Sequence, residues 1–193
     1  MYNLSKSTYM KGRQCPKALW LFQNRRDLLP PQSLQQQARF DTGKEVGLLG
    51  RQLFPNGIEC SPESAVDFGP SLATTQSAIS SGAIVLYEAA FQHDAVLVAV
   101  DILVRTPDGW HAYEVKSSGS VKDEYIQDMA LQVHVMEGAG LYLTDVSIVH
   151  LNTAYVRQGD IDVHELFCIT SVRAAVEAER RDIPRRIEAL KSV

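Results

Sequence analysis

Residues Ala95 to Lys116 read AVLVAVDILVRTPDGWHAYEVK, and this stretch decides the fold. Its two halves are apolar runs rich in β-branched and aromatic residues. Pro107-Asp108-Gly109 separates them as a turn signal, so they predict an antiparallel hairpin. Each run carries a carboxylate that the apolar pattern does not need, Asp101 in AVLVAVDILV and Glu114 in HAYEVKSS. An unpaired buried carboxylate is costly, so each requires a partner, a proton or a cation. A hairpin symmetric about Pro107-Asp108 pairs residues whose numbers sum to 215 and sets Asp101 directly across from Glu114, side chains on one face. A three-residue loop with a bulge at Gly109 would shift the register by one and part them. Lys116, two residues beyond Glu114, shares its strand face.

Outward from the hairpin, Ala83 to Phe91 reads as a strand ending at the turn signal His93-Asp94. Lys122 to Glu137 has helical spacing and stops at Gly138, and Val146 to Leu151 and Ala154 to Val156 read as further strands. Upstream, Ser5 or Ser7 can cap a first helix and Pro16 can begin a second. LLPPQS at 28 to 33 then breaks the pattern, and a helix is expected from Leu34 to about Phe54. It carries Gly43, Gly47 and Gly50, which allow close packing or mark a kink. A short strand near Ile58, a helix near Ser71 to Ser80 and a charged C-terminal helix over 170 to 193, interrupted near Pro184, complete the pattern. The sum is a single α/β domain over 1 to 193: helix, three antiparallel strands, helix, strand, in a mixed central sheet flanked by helices, with 1 to 32 a basic helical region.

Two adjacent carboxylates repel, and each raises the other's pKa unless a cation lies between them. A hard dication such as Mg²⁺ or Mn²⁺, which takes oxygen ligands, resolves that conflict. Lys116 beside it could stabilise a phosphate or orient an attacking water. An ion pair of Lys116 with either carboxylate is the purely structural alternative. On the following helix, Tyr125, Asp128 and Gln132 fall on one face that could aim at the same pocket, a spacing that a solvated face would also show.

The chain has 193 residues, 45% hydrophobic, with 19 Lys and Arg against 23 Asp and Glu, a net charge of -4. Those proportions exclude disorder, collagen and a disulfide scaffold. Cys15, Cys60 and Cys168 stand far apart with no CxxC, which fits a reducing cytoplasm and makes no zinc motif. The polar opening has no signal-peptide core, and the longest apolar run falls well short of the roughly 20 residues a membrane span needs. The average charge conceals a division: residues 1 to 55 hold nine basic against three acidic side chains, a balance of +6, and the rest carries -10. Charge alone is explained best by the solvated sides of helices; Lys6, Lys11, Arg13, Lys17 and Lys44 become candidate contacts to backbone phosphates, with DNA the expected partner and RNA remaining open, only through a family resemblance.

Asp101 followed by Glu-Val-Lys at 114 to 116 resembles the D...ExK signature of the PD-(D/E)XK nuclease superfamily, and most of all its RecB-type and CRISPR-associated exonuclease branch. LSKSTYMKGRQCPKALWL at 4 to 21, GKEVG at 43 to 47, YEAAF at 87 to 91 and YIQDMALQ at 125 to 132 support the resemblance, which covers about Leu4 to Val156. It implies a restriction-endonuclease-like core and a metal-dependent deoxyribonuclease, exonuclease-like, serving DNA repair, recombination or defence. It also implies roles: Asp101, Glu114 and the Val115 carbonyl holding Mg²⁺ or Mn²⁺, Lys116 assisting the water, Gln132 at the site, and Glu45 as the ligand from the first core helix. Gly47 stands where relatives usually carry a His. Glu88 is the alternative acidic contributor or a member of an ion pair. Cys15-Pro16 is similar to the first cysteine of relatives that hold an iron-sulfur cluster, but the C-terminal trio is missing and no cluster is expected. Two rivals stand beside the nuclease. One is a catalytically inactive nucleic-acid-binding module of the same fold, and the other is a metal-dependent hydrolase of small phosphate esters.

Overall fold

The computed structural model describes residues 4 to 62 and 67 to 193. A two-residue strand β1 (Leu4–Ser5) leads into α1 (Lys6–Gln14), where Ser5 and Thr8 form a capping box. Pro16 then opens α2 (Pro16–Asn24), a 3₁₀ turn covers Arg26–Leu28, and Ser33 caps α3 (Leu34–Arg51). Next come β2 (Ile58–Glu59), α4 (Gly69–Ser80) and the strands β3 (Val85–His93), β4 (Val96–Thr106) and β5 (Gly109–Lys116). The long helix α5 (Asp123–Gly138) crosses to β6 (Leu143–Leu151). A turn of helix α6 (Val163–Leu166), β7 (Phe167–Ser171), α7 (Arg173–Arg180) and α8 (Ile183–Lys191) finish the chain.

One mixed seven-stranded sheet results, in the order β2-β3-β4-β5-β6-β7, with β1 paired to β4 off that path. Neighbours β3, β4 and β5 are antiparallel, β5 and β6 are parallel across the α5 crossover, and β7 returns antiparallel to β6. The α/β architecture expected from the sequence is therefore the one observed. Three segments differ. Ala154 to Val156 form a turn and loop rather than a strand, and the last strand is Phe167–Ser171, a short run that is mostly exposed. The C-terminal helix is two helices, with Pro184 in the first turn of α8, where its missing N–H leaves no bond unmade.

The sheet's two faces are unequal. Against one lie α1, α4, α5, α7 and α8, enclosing a large core that includes Leu86, Val98, Leu103, Met129, Val133 and Ile148. The other face holds a smaller cluster of Val46, Ile102, Tyr113, Val149, Val163 and Phe167, covered by the C-terminal half of α3 and by α6. Gly50 lets α3 approach β5, since a Cβ there would come within 3.0 Å of the Val115 side chain. Gly43 and Gly47 face open space instead.

Candidate functional site

The hairpin register is the one in which numbers sum to 215: Ile102 lies opposite Tyr113, Leu103 opposite Ala112, and Thr106 opposite Gly109. The ladder stops at Ile102 and Tyr113, one rung short of Asp101 and Glu114. Beyond that point, among the described residues, β4 is paired on this side only by Leu4 and Ser5 of β1, against Val96 and Leu97. The strands thus part at the two carboxylates. Asp101 closes the break locally, because its Oδ2 accepts the Val115 backbone N–H at 2.7 Å.

A distortion on β3 meets this break. Glu88 has φ +52°, a left-handed conformation that a non-glycine residue rarely adopts within a strand. Leu86 and Ala89 both face the larger core although an odd step separates them. On β4, Val100 faces the larger core and Ile102 the smaller although the step is even. Regular strands alternate faces, so both strands flip at the same rung, where Glu88 and Asp101 stand opposite. Register is kept on either side, with Tyr87 opposite Ile102 and Ala89 opposite Val100. Strain of this kind concentrates at functional sites.

Glu114 is 2% exposed and has every oxygen engaged. Its Oε1 accepts from Lys116 Nζ at 2.8 Å and from Lys6 Nζ at 2.9 Å, and its Oε2 from Gln132 Nε2 at 2.8 Å. Lys116 also donates to Asp128 Oδ2 at 2.8 Å, and Gln132 to Asp128 Oδ1 at 3.3 Å. The ammonium of Lys116 lies over the Tyr125 ring, 5.2 Å from its centroid. The Gln132 Oε1 is buried without a hydrogen-bond partner. Helix α5 delivers Tyr125, Asp128 and Gln132 from one face, as their spacing requires.

Beside this network lies a cavity of about 770 Å³. Glu88, Asp101, Glu114 and Val115 line it from the sheet, and Arg39, Phe40, Gly43, Lys44, Gly47, Leu48 and Arg51 from α3. Arg51 reaches Glu88 at 3.2 Å and Glu59 at 2.5 Å. The loop after α3 is tied down by Tyr87, whose hydroxyl donates to Phe54 O at 2.6 Å and accepts from Gly57 N at 3.1 Å.

The charges settle unequally. Burial, reinforced by the Glu114 charge, pushes the Asp101 carboxyl up to about 7. Burial works in the same direction on Glu114, but the Lys116 and Lys6 ammoniums outweigh it and hold this carboxyl well below the usual range. Burial opposes the charge of Lys116, yet Glu114 and Asp128 keep its pKa above the ordinary value; Lys6 is raised in the same way by Asp128, Glu114 and Asp101. Burial raises Asp128 and Glu88, the latter against the pull of Arg51. Four carboxylates therefore face the three cations Lys6, Lys116 and Arg51, and among the described residues Asp101 has no ion-pair partner.

Asp101, Glu114, Val115, Lys116, Gln132, Tyr125, Asp128 and Glu88 thus stand together. Glu45 does not: it is exposed on α3 and is absent from the cavity lining, because residues 43, 44, 47, 48 and 51 present the other face of that helix. Glu88 supplies the additional carboxylate at the cavity. The basic candidates divide as well. Lys44 lines the cavity and Lys6 has joined Glu114. Arg13 is paired with Glu179 of α7 at 2.5 Å, Lys11 lies over the Phe22 ring, and Lys17 is exposed. Arg39 and Arg51, two further members of the basic 1 to 55 stretch, also line the cavity. Arg39 lies four residues before Gly43, and Arg51 lies seven after Lys44 and four after Gly47, which puts them on the same side of α3.

No family model matches the chain, and no curated protein matches it. Among solved structures it is similar to an alkaline exonuclease (LHK-Exo) from Laribacter hongkongensis, with 15% identity and a TM-score of 0.36, over 98% of this chain and 89% of that one. Among the described residues no helix is long and apolar enough to cross a membrane.

Proposed function

We propose that the chain is a divalent-metal-dependent nuclease of the PD-(D/E)XK type that hydrolyses phosphodiester bonds of DNA, with an exonuclease-like role in repair, recombination or defence. One observation carries the reading. Asp101 and Glu114 open into one cavity at a break in the sheet, with Lys116 bonded to Glu114 and a wall of Arg39, Lys44 and Arg51 opposite. Acidic floor and basic wall suit a phosphodiester that must be gripped by its charge and approached by a metal-activated water.

The residues fit a hard dication. Asp101 is a carboxylate without a cation of its own, and Glu114 has already drawn the Lys6 ammonium to its Oε1. Asp101, Glu114 and the Val115 carbonyl would hold Mg²⁺ or Mn²⁺, with Glu88 as the further acidic contributor in place of Glu45. When bound, such an ion would acidify a water and neutralise charge on the phosphoryl group. Lys116, held charged by Glu114 and Asp128, positions the attacking water and stabilises negative charge on it or on the phosphoryl oxygens. Gln132 holds Glu114 in orientation, and Arg39, Lys44 and Arg51 meet the flanking phosphates.

The test is labelled single- and double-stranded DNA, with RNA alongside, in Mg²⁺, Mn²⁺ or EDTA. The wild type is expected to give metal-dependent products, and Lys116→Ala to lose roughly 10² to 10³ in rate, the span of one charge-stabilising donor. A wild type that yields no metal-dependent product on any substrate overturns the reading. A second reading, the inactive binding module, draws on the two ammoniums that already engage Glu114 Oε1. It predicts salt-sensitive DNA binding with no cleavage for Asp101→Ala to abolish.

A further inference from the structure

At the far end of β3 the chain turns back through His93-Asp94-Ala95-Val96, with His93 opposite Val96. Asp94 and Ala95 have φ of 49° and 57°, so both central residues of this two-residue hairpin are left-handed, as a type I′ turn requires. Ala95 pays for that geometry without the freedom of glycine. The turn brings the Asp94 carboxylate between two imidazoles. His134 Nε2 lies 2.9 Å from Asp94 Oδ2, and His93 Nε2 lies 3.6 Å from Asp94 Oδ1. The three ligand atoms all fall within 4.8 Å of one another, and the two rings stand edge to face with centroids 5.5 Å apart.

Helix α5 prepares a place for this group. One turn after His134 comes Gly138, and a Cβ there would fall 2.1 Å from the His93 ring. His134 and the notch at Gly138 thus share a helix face, and the His93 imidazole is seated in that notch. Among the described residues, His93, Asp94 and His134 form no hydrogen bond or ion pair with Asp101, Glu114 or Lys116.

We propose that His93, Asp94 and His134 form a second metal site, for a borderline dication of the Zn²⁺ class, which ties the tip of the β3–β4 hairpin to the C-terminal half of α5. Two imidazoles and one carboxylate are the donor set of such ions rather than of Mg²⁺, and three protein ligands leave a position for water. Donors about 2.1 Å from a tetrahedral ion stand roughly 3.4 Å apart, so the His134–Asp94 separation of 2.9 Å would lengthen and any wider one shorten as all three close on one ion.

The experiment uses the metal-stripped chain carrying Asp101→Asn, so that the carboxylate cavity does not compete. Co²⁺ is titrated while its visible absorption is followed, then displaced with Zn²⁺. Stoichiometric binding with the spectrum of a nitrogen-ligated, low-coordinate Co²⁺ is expected, together with a Tm that rises in Zn²⁺. His134→Gln and His93→Gln should each weaken binding by more than about 10²-fold, beyond what loss of a supporting partner costs. Gly138→Ala, which keeps all three ligands but fills the notch, should weaken it as well. Binding unchanged in both His variants, or no binding by the parent, leaves a hydrogen-bonded pair only and overturns the proposal. Neither result bears on nuclease activity, which is read separately.

Discussion

The two faces of the sheet do different work with the same strands. On the α5 side, Val98, Val100, Met129, Val133 and Ile148 interlock at close to full burial under several helices. On the α3 side, apolar packing reaches only from Val46 down to Phe54, and the upper part of α3 stands over a cavity with exposed Phe40 and Leu48. One face excludes water and the other leaves a cavity open to it. The boundary runs through Glu88 and Asp101, where both strands change the face they present. A regular sheet would have buried Asp101 or sent it to solvent. The flip places it at the edge of a dry core with Glu114 as its neighbour.

That contrast is broken most severely from the dry side. Met129→Ala removes a fully buried side chain of α5 and should cost about 2 to 5 kcal/mol in denaturant unfolding, the range for large-to-small core changes. The residual folded fraction should cleave at the wild-type rate. If instead its rate per folded molecule falls as far as that of a cavity variant, the two faces are not separable. From the wet side, Asp101→Asn should do the reverse. Asn still offers an oxygen to the Val115 N–H, so stability should change by less than about 1 kcal/mol, while metal-dependent cleavage falls by at least about 10²-fold.

Glu88 sharpens the boundary itself. In ordinary strands Ala is more stable than Gly by about 0.5 to 1 kcal/mol. At a left-handed position the order reverses, because Cβ crowds the carbonyl at a cost of roughly 1 to 2 kcal/mol. Glu88→Gly should therefore unfold at higher denaturant than Glu88→Ala, with both losing the carboxylate and its Arg51 partner equally. The usual order, Ala above Gly, would mean that β3 does not carry the flip.

How much of this was written in the sequence depends on range. The Asp101–Glu114 hairpin was legible because Pro107-Asp108-Gly109 marks a turn between two strand-forming runs, all within 22 residues, although the continuously apolar first run left a one-residue shift of register open. The face of α5 bearing Tyr125, Asp128 and Gln132 was legible for the same local reason. Lys6 was visible only as a charge, since its place on Glu114 depends on a contact 108 residues away and on β1, a two-residue strand without periodicity. GKEVG gives composition alone, whereas the packing of Gly50 on Val115 decides which side of α3 faces the cavity, and Glu45 lies outside that lining. Nothing in YEAAF signals a positive φ, which arises from the meeting of two strands. Ala154 to Val156 looked like a strand by residue type, yet β6 takes its partner from Phe167–Ser171.

The smallest expected effect lies on the dry side, far from the cavity, and separates scaffold electrostatics from those of the site. Glu179 of α7 joins Arg13 of α1 and Arg186 of α8 at 2.5 Å each, tying three helices together over the core. Partial burial would raise its pKa, but the bonds from the two guanidiniums prevail and hold the carboxyl below its usual range. A group whose folded pKa is depressed contributes stability that is fully present above its unfolded value, about 4.3, and is lost as the pH falls through the folded value. Glu179→Gln should therefore lower stability near pH 7 by less than about 1 kcal/mol, since the cluster is partly solvated. The difference from wild type should close as the pH drops below about 4, with cleavage at neutral pH unaltered. Denaturant melts at pH 7 and pH 3 measure this, and a gap that stays constant across the two would remove Glu179 from the acid sensitivity of the scaffold.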